Sequence, residues 1–167
     1  MAIRWKYESA SGESRPWTLK EIVQGKPVDR PLHTMFVHFP IAYYVAAFIL
    51  DVLSHIGHHP WAPTAATWLL AGAFLATAVL VTTGLVDRST TRPGSKPRGL
   101  ANTHMWLQFG AAGVFVLDFI IRVAQHHNRP QARPLWILLD AIGVVVVLVG
   151  ADFGGQLVYK IGMRVGE

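Results

Sequence analysis

Residues 65–86 read AATWLLAGAFLATAVLVTTGLV, a stretch without one charged side chain, and crossing a hydrocarbon layer as a helix takes about 20 such residues. Backbone N–H and C=O groups find no water inside a bilayer, so a stretch of this kind is helical there. Three more flank it: Met35–Ile56, Met105–Ala124 and Leu135–Ala151. The connections are short and rich in turn formers: His58-His59-Pro60 with Pro63, the segment Arg88 to Gly99, and Asn128-Arg129-Pro130 with Pro134. Short loops force successive helices side by side, so the expected fold is an all-α, integral membrane, antiparallel four-helix bundle over residues 35–159. Gly72, Ala76, Gly110, Gly113, Gly143 and Gly150 let helix backbones approach closely.

Composition agrees. Of 167 residues, 51% are hydrophobic and 15% charged, where a soluble domain averages about a quarter charged. There is no cysteine, which excludes disulfides, thiolate nucleophiles, Cys-ligated iron–sulfur clusters and covalently attached haem. A metal would have to be held by His, Asp, Glu or Met, so the eight histidines are the residues to explain. No G-x-x-x-x-G-K-[ST] loop, H-E-x-x-H helix or G-x-S-x-G elbow is present, and soluble enzyme classes lack support.

Basic residues set the expected orientation. Arg4, Lys6, Arg15, Lys20, Lys26 and Arg30 lie in an N-terminal arm (residues 1–34), Arg88, Arg92, Lys96 and Arg98 in the middle loop, and Lys160 and Arg164 in the tail (residues 160–167). The opposite side has Arg129 and Arg133, with Arg122 just inside the third span. Both termini are therefore expected to be cytoplasmic, and the net charge of +5 reflects topology rather than nucleic-acid binding. The arm has no continuous apolar run and is not a signal peptide. Ser14 followed by Pro16 starts a candidate short helix, either lying on the membrane surface or docked on a partner, or else the arm is loosely ordered.

The spans also read as two duplicated helical hairpins. His38 and Gly84 are separated as His104 and Gly150 are, with an offset of 66 between the pairs. Parallel repeats would put His38 and His104 at equal depth, facing each other. Because spans alternate in direction, His33, His38, Asp87, Arg88, His104, Asp152 and Tyr159 gather at one membrane face, with Gly154-Gly155 beside them. Ionisable groups within a membrane are costly and are candidates for function, although His and Asp at helix ends also bond backbone or reach for headgroups.

The segment His33-Thr34-Met35-Phe36-Val37-His38-Phe39-Pro40-Ile41-Ala42 resembles the signature of an uncharacterised family of four-span bacterial membrane proteins, a domain of unknown function. Gly84-Leu85-Val86-Asp87, Ala101-Asn102-Thr103-His104 and Gly154-Gly155-Gln156-Leu157-Val158-Tyr159 carry the likeness on, from Pro31 to Gly162. The resemblance implies residence in a bacterial inner (plasma) membrane. Some members are fused to a Rieske iron–sulfur domain, which implies redox partners. This chain has no Cys for such a cluster and carries Thr34 where the family commonly has Pro.

In the outer half, Asp51, Asp118 and Asp140 lie near Arg122, with Asp51 and Asp118 about 20 Å from the histidine layer. Three acids around one arginine cannot all stay charged cheaply, so at least one is expected to keep its proton. Polar glue between helices and a proton path are the two readings. His55, His58, His59, His126 and His127 do not make a second cofactor site: His55 lies about 25 Å beyond His38 and His126 about 33 Å beyond His104.

Three functions follow. The first is a b-type haem protein passing electrons in or beside a membrane redox complex. Its axial ligands would be His38 and His104, with propionates on Arg88, Arg92 and Arg98, Gly84 and Gly150 giving room to the macrocycle, and Asp87 or Tyr159 orienting a ligand. Asp87 with the histidines holding a non-haem metal is the variant of this reading. The second is a non-catalytic accessory subunit anchored by Trp5, Trp17, Trp61, Trp68, Trp106 and Trp136. The third is proton or small-ion transport, which in four spans needs a homo-oligomer.

Overall fold

The computed structural model describes residues 6–9, 12–126 and 128–165. Two short strands, β1 (Tyr7–Glu8) and β2 (Ser14–Arg15), pair antiparallel in the N-terminal arm. Helix α1 (Leu19–Val23) starts four residues later than Ser14: Thr18 accepts from the Glu21 amide and the Glu21 carboxylate accepts from that of Thr18, a reciprocal cap. Ser14 is instead spent opposite Glu8 in the strand pair. Arg15 donates to both oxygens of Glu21 at 2.8 Å and holds that carboxyl well below the usual carboxylate range.

Four long apolar helical runs follow: Leu32–Leu53, Ala62–Arg88, Lys96–Ala124 and Pro134–Tyr159. The chain is thus an all-α, four-helix membrane protein, as the sequence implies. The first run is two helices, α2 (Leu32–Phe36) and α3 (His38–Leu53). They are divided where Pro40, having no N–H, leaves the Phe36 carbonyl without its helical bond. α4 (Ala62–Arg88) and α5 (Lys96–Ala124) begin ahead of the apolar stretches, because Pro at the first or second position and, for α5, the Ser95 cap start them early; α6 (Pro134–Tyr159) instead runs past Ala151 at its far end, and α3 stops short of Ile56.

α3 packs chiefly on α4 and α5 on α6; α3 with α6 and α4 with α5 close the ring, so α3 and α5 are diagonal neighbours. The tail returns to the arm: Arg164 donates to the Gln24 carbonyl at 2.7 Å and pairs with Asp87 at 3.4 Å. The described arm and tail therefore lie at the same end of the bundle.

The duplication has a different register from the offset of 66. Pro40, Tyr44, Ala47 and Asp51 are buried on α3, and Ala111, Phe115, Asp118 and Arg122, each 71 positions later, on α5. On α4 and α6 the offset is 70: Ala66, Leu70, Ala73, Leu80 and Asp87 match Trp136, Asp140, Gly143, Gly150 and Leu157. Spacings alternate between four and three residues on α3 and α5 and run four, three, seven, seven on α4 and α6, the seam of helices that supercoil left-handedly. The first hairpin therefore repeats the second, with Tyr44 stacked on Phe115 at the centre (centroids 3.9 Å, planes 7° apart).

Candidate functional site

Extending the α3 seam backward by the same alternation reaches His33, whose counterpart 71 positions on is His104. The structure brings these two together: ring centroids are 6.3 Å apart and the planes stand at 88°. His33 lies against Gly84, where an added Cβ would come within 2.9 Å of its ring; His104 lies against Gly154, where the distance would be 3.0 Å. His33 Nδ1 is 3.1 Å from the Leu80 carbonyl and 3.2 Å from Thr83 Oγ1, and His104 Nδ1 is 2.7 Å from the Gly150 carbonyl. Leu80 precedes Gly84 by one turn and Gly150 precedes Gly154 by one turn, so both histidines are seated in the same manner.

A carbonyl oxygen only accepts, so each Nδ1 must carry the hydrogen, and in the neutral ring Nε2 then keeps a free lone pair. A backbone carbonyl on the far nitrogen is also what orients a ligating histidine. Two imidazoles at this separation are close enough that both could reach one metal ion, each metal–nitrogen bond being ~2 Å.

His38, the expected partner of His104, is exposed at the start of α3. It lies off the seam that carries His33, Pro40 and Tyr44, so it points away from the axis. The flanking groups also differ from expectation. Gly150 makes room for Gln108, whose Nε2 would be 2.6 Å from an added Cβ, and not for a macrocycle. Asp87 pairs with Arg164, and Tyr159 is 89% exposed, so neither orients a histidine. Arg88 donates to Asn102 at 2.7 Å and Arg98 to the Thr91 carbonyl at 2.8 Å, pinning the α4–α5 connection. Among the described residues no group of three or more His, Asp or Glu is placed to hold a metal ion.

The outer cluster is assembled as the sequence suggests. Arg122 Nε is 2.5 Å from Asp118, and Nη2 is 2.5 Å from Asp51 and 3.0 Å from Asp140, all four side chains with 0% exposure. The Trp136 ring covers the guanidinium at 5.0 Å. Next to it Ser54 Oγ accepts from the Ala132 amide at 2.9 Å, and His55 Nε2 lies 2.8 Å from the Ala132 carbonyl. His126 has left-handed backbone (φ 60°) in the loop; His127, Arg4 and Trp5 lie outside the described residues.

Sequence reasoning placed His33 and Gly154 at this membrane face but paired His104 with His38 and gave Gly154 no ring to seat. The signal was the alternating three-and-four spacing running from each histidine to the buried charges: 33, 37, 40, 44, 47, 51 against 104, 108, 111, 115, 118, 122.

A family model described as "Predicted membrane protein (DUF2231)" matches residues 29–167. No curated protein and no solved structure matches the chain.

Proposed function

Because the chain belongs to the DUF2231 family of membrane proteins, we propose that it is a membrane b-type haem protein that takes part in electron transfer, with His33 and His104 as the residues that would hold the iron. The observation that carries this reading is the matched seating of the two rings: each gives its Nδ1 hydrogen to a backbone carbonyl and keeps Nε2 for a metal. The support is in the donor type, since two neutral imidazoles are a set that haem iron accepts. Haem held in this way supplies a one-electron redox couple. The protein's own part is to fix the tautomer and orientation of both rings through the Leu80 and Gly150 carbonyls, and to keep the site inside the bundle. Counted by Lys and Arg, the histidine end is the cytoplasmic one. Other membrane redox subunits would be the donor and acceptor.

A second reading has its own observation. Each histidine also bonds the carbonyl of a neighbouring helix, which would be sufficient in a non-catalytic subunit whose role is assembly. A reduced-minus-oxidised spectrum of the purified protein after haem supplementation separates the two. The haem reading requires a b-type α band in wild type that His33→Ala and His104→Ala abolish and His38→Ala leaves in place. No band in the supplemented wild type leaves the accessory-subunit reading.

A further inference from the structure

The Arg122 cluster holds more acid than its architecture needs. Asp51 and Arg122 occupy equivalent positions of the two hairpins and already make a neutral pair across the axis. Asp118 and Asp140 are two further acids at positions where the other hairpin has Ala47 and Leu70. Fully ionised, three carboxylates and one guanidinium would leave two uncompensated negative charges at 0% exposure, a cost of several kcal/mol per charge. Neutrality is reached when two of the carboxyls hold protons.

The bonding around the cluster points to a ligand as well. Each acid turns Oδ2 to Arg122, Asp140 also lies within hydrogen-bonding reach of Asp51 and Asp118, which requires a proton between carboxyls, and Arg122 Nη1 has no hydrogen-bond partner among the described residues. A buried polar group without a partner is costly. Three carboxyl oxygens that hold or accept protons, beside one N–H donor, form a site complementary to water and its proton.

We propose that Asp51, Asp118, Asp140 and Arg122 form a proton-binding site that holds two protons at neutral pH and exchanges them with water without the bundle unfolding. A proton that leaves a carboxyl passes to water as hydronium and leaves one net negative charge on the cluster. The groups facing it are Asp51 from α3 and His55 just beyond its end, Asp118 and Arg122 from α5, and Asp140 from α6; the adjacent stretch of α4, Ala62 to Leu70, has no titratable residue. Arg129 and Arg133 are the charged residues of the α5–α6 connection above it. His55 is exposed and lies one helical turn beyond Asp51, so the outlet to solvent is at this end of α3. The proposal is independent of the haem reading, because the two histidines lie about 27 Å away along the helices.

Infrared spectroscopy of the full chain in lipid nanodiscs tests it. The wild type should show a protonated-carboxyl C=O band at neutral pH, and that band should downshift in D2O well before the slow core amides exchange. Each isosteric variant, Asp51→Asn, Asp118→Asn and Asp140→Asn, should weaken the band, because two acids and one arginine need only one proton. The proposal fails if wild type has no such band at neutral pH, if the band shifts only in step with the slowest amides, or if all three variants leave it unchanged. Should the variants not insert, the wild-type band and its exchange rate still decide.

Discussion

At one end of the bundle the two hairpins contribute the same residue to the axis, His33 and His104; at the other they contribute opposites, Asp51 and Arg122. The Tyr44–Phe115 stack lies between these layers. In the histidine layer the repeat is kept down to the glycine and carbonyl that seat each ring, so two equal groups face a common centre. In the charged layer the repeat is broken at three levels: Asp51 against Arg122, Ala47 against Asp118, Leu70 against Asp140. A symmetric layer suits one ligand held between equals, and the asymmetric layer builds a buried ion cluster with two more acids than its one arginine can pair. The same backbone duplication therefore supports two kinds of polar chemistry at the two ends.

The largest effect is expected at the charged end. Arg122→Met strands three acids in the bundle without their cation, and breaking a buried pair from one side costs about 3–5 kcal/mol. Denaturant unfolding in detergent, or loss of the folded fraction on extraction, measures it; a cost below that of His104→Ala would break the comparison. Next come the glycines of the histidine end. Gly84→Ala and Gly154→Ala push a methyl to within 2.9 and 3.0 Å of His33 and His104, and overpacking of this kind costs about 1–3 kcal/mol. Matched seating predicts similar costs for the two, with the same displacement of either ring read from histidine NMR shifts. Gly150→Ala should disturb Gln108 first.

The smallest effect lies outside the bundle. The folded-state pKa of Glu21 is depressed by the Arg15 hydrogen bonds, so the stabilisation of the strand pair on α1 is present above the ordinary carboxylate value near 4.5 and is lost as pH falls through the lower folded value. Limited proteolysis should cut the arm faster at strongly acid pH while the four helices hold. Glu21→Gln should show the faster cutting at neutral pH.

The four spans were legible because the bilayer demands length and apolarity, and both can be counted. The meeting of Asp51, Asp118, Asp140 and Arg122 was legible from depth alone, since at 1.5 Å per residue they fall at one level and buried charges must pair. The histidine pair was not. His33 and His38 lie at one end of one span, and a span apolar on every side has no moment to separate its inner from its outer face. The equal separation of His38 from Gly84 and of His104 from Gly150 pointed to a repeat, but Gly84 serves His33 and Gly150 serves Gln108. The starts of α4 and α5 were missed because Pro at the first turn and the Ser95 cap act outside the apolar stretch.

The most direct test of the account is which histidine faces His104. The chain has no cysteine, so the double variants His33→Cys/His104→Cys and His38→Cys/His104→Cys can be made in the native background and treated with a short bifunctional thiol cross-linker in membranes. The structure predicts that the 33/104 pair bridges intramolecularly, protecting both thiols from alkylation, while the 38/104 pair leaves both reactive. Bridging of 38/104 with 33/104 left open would contradict the paired-histidine axis and the site built on it.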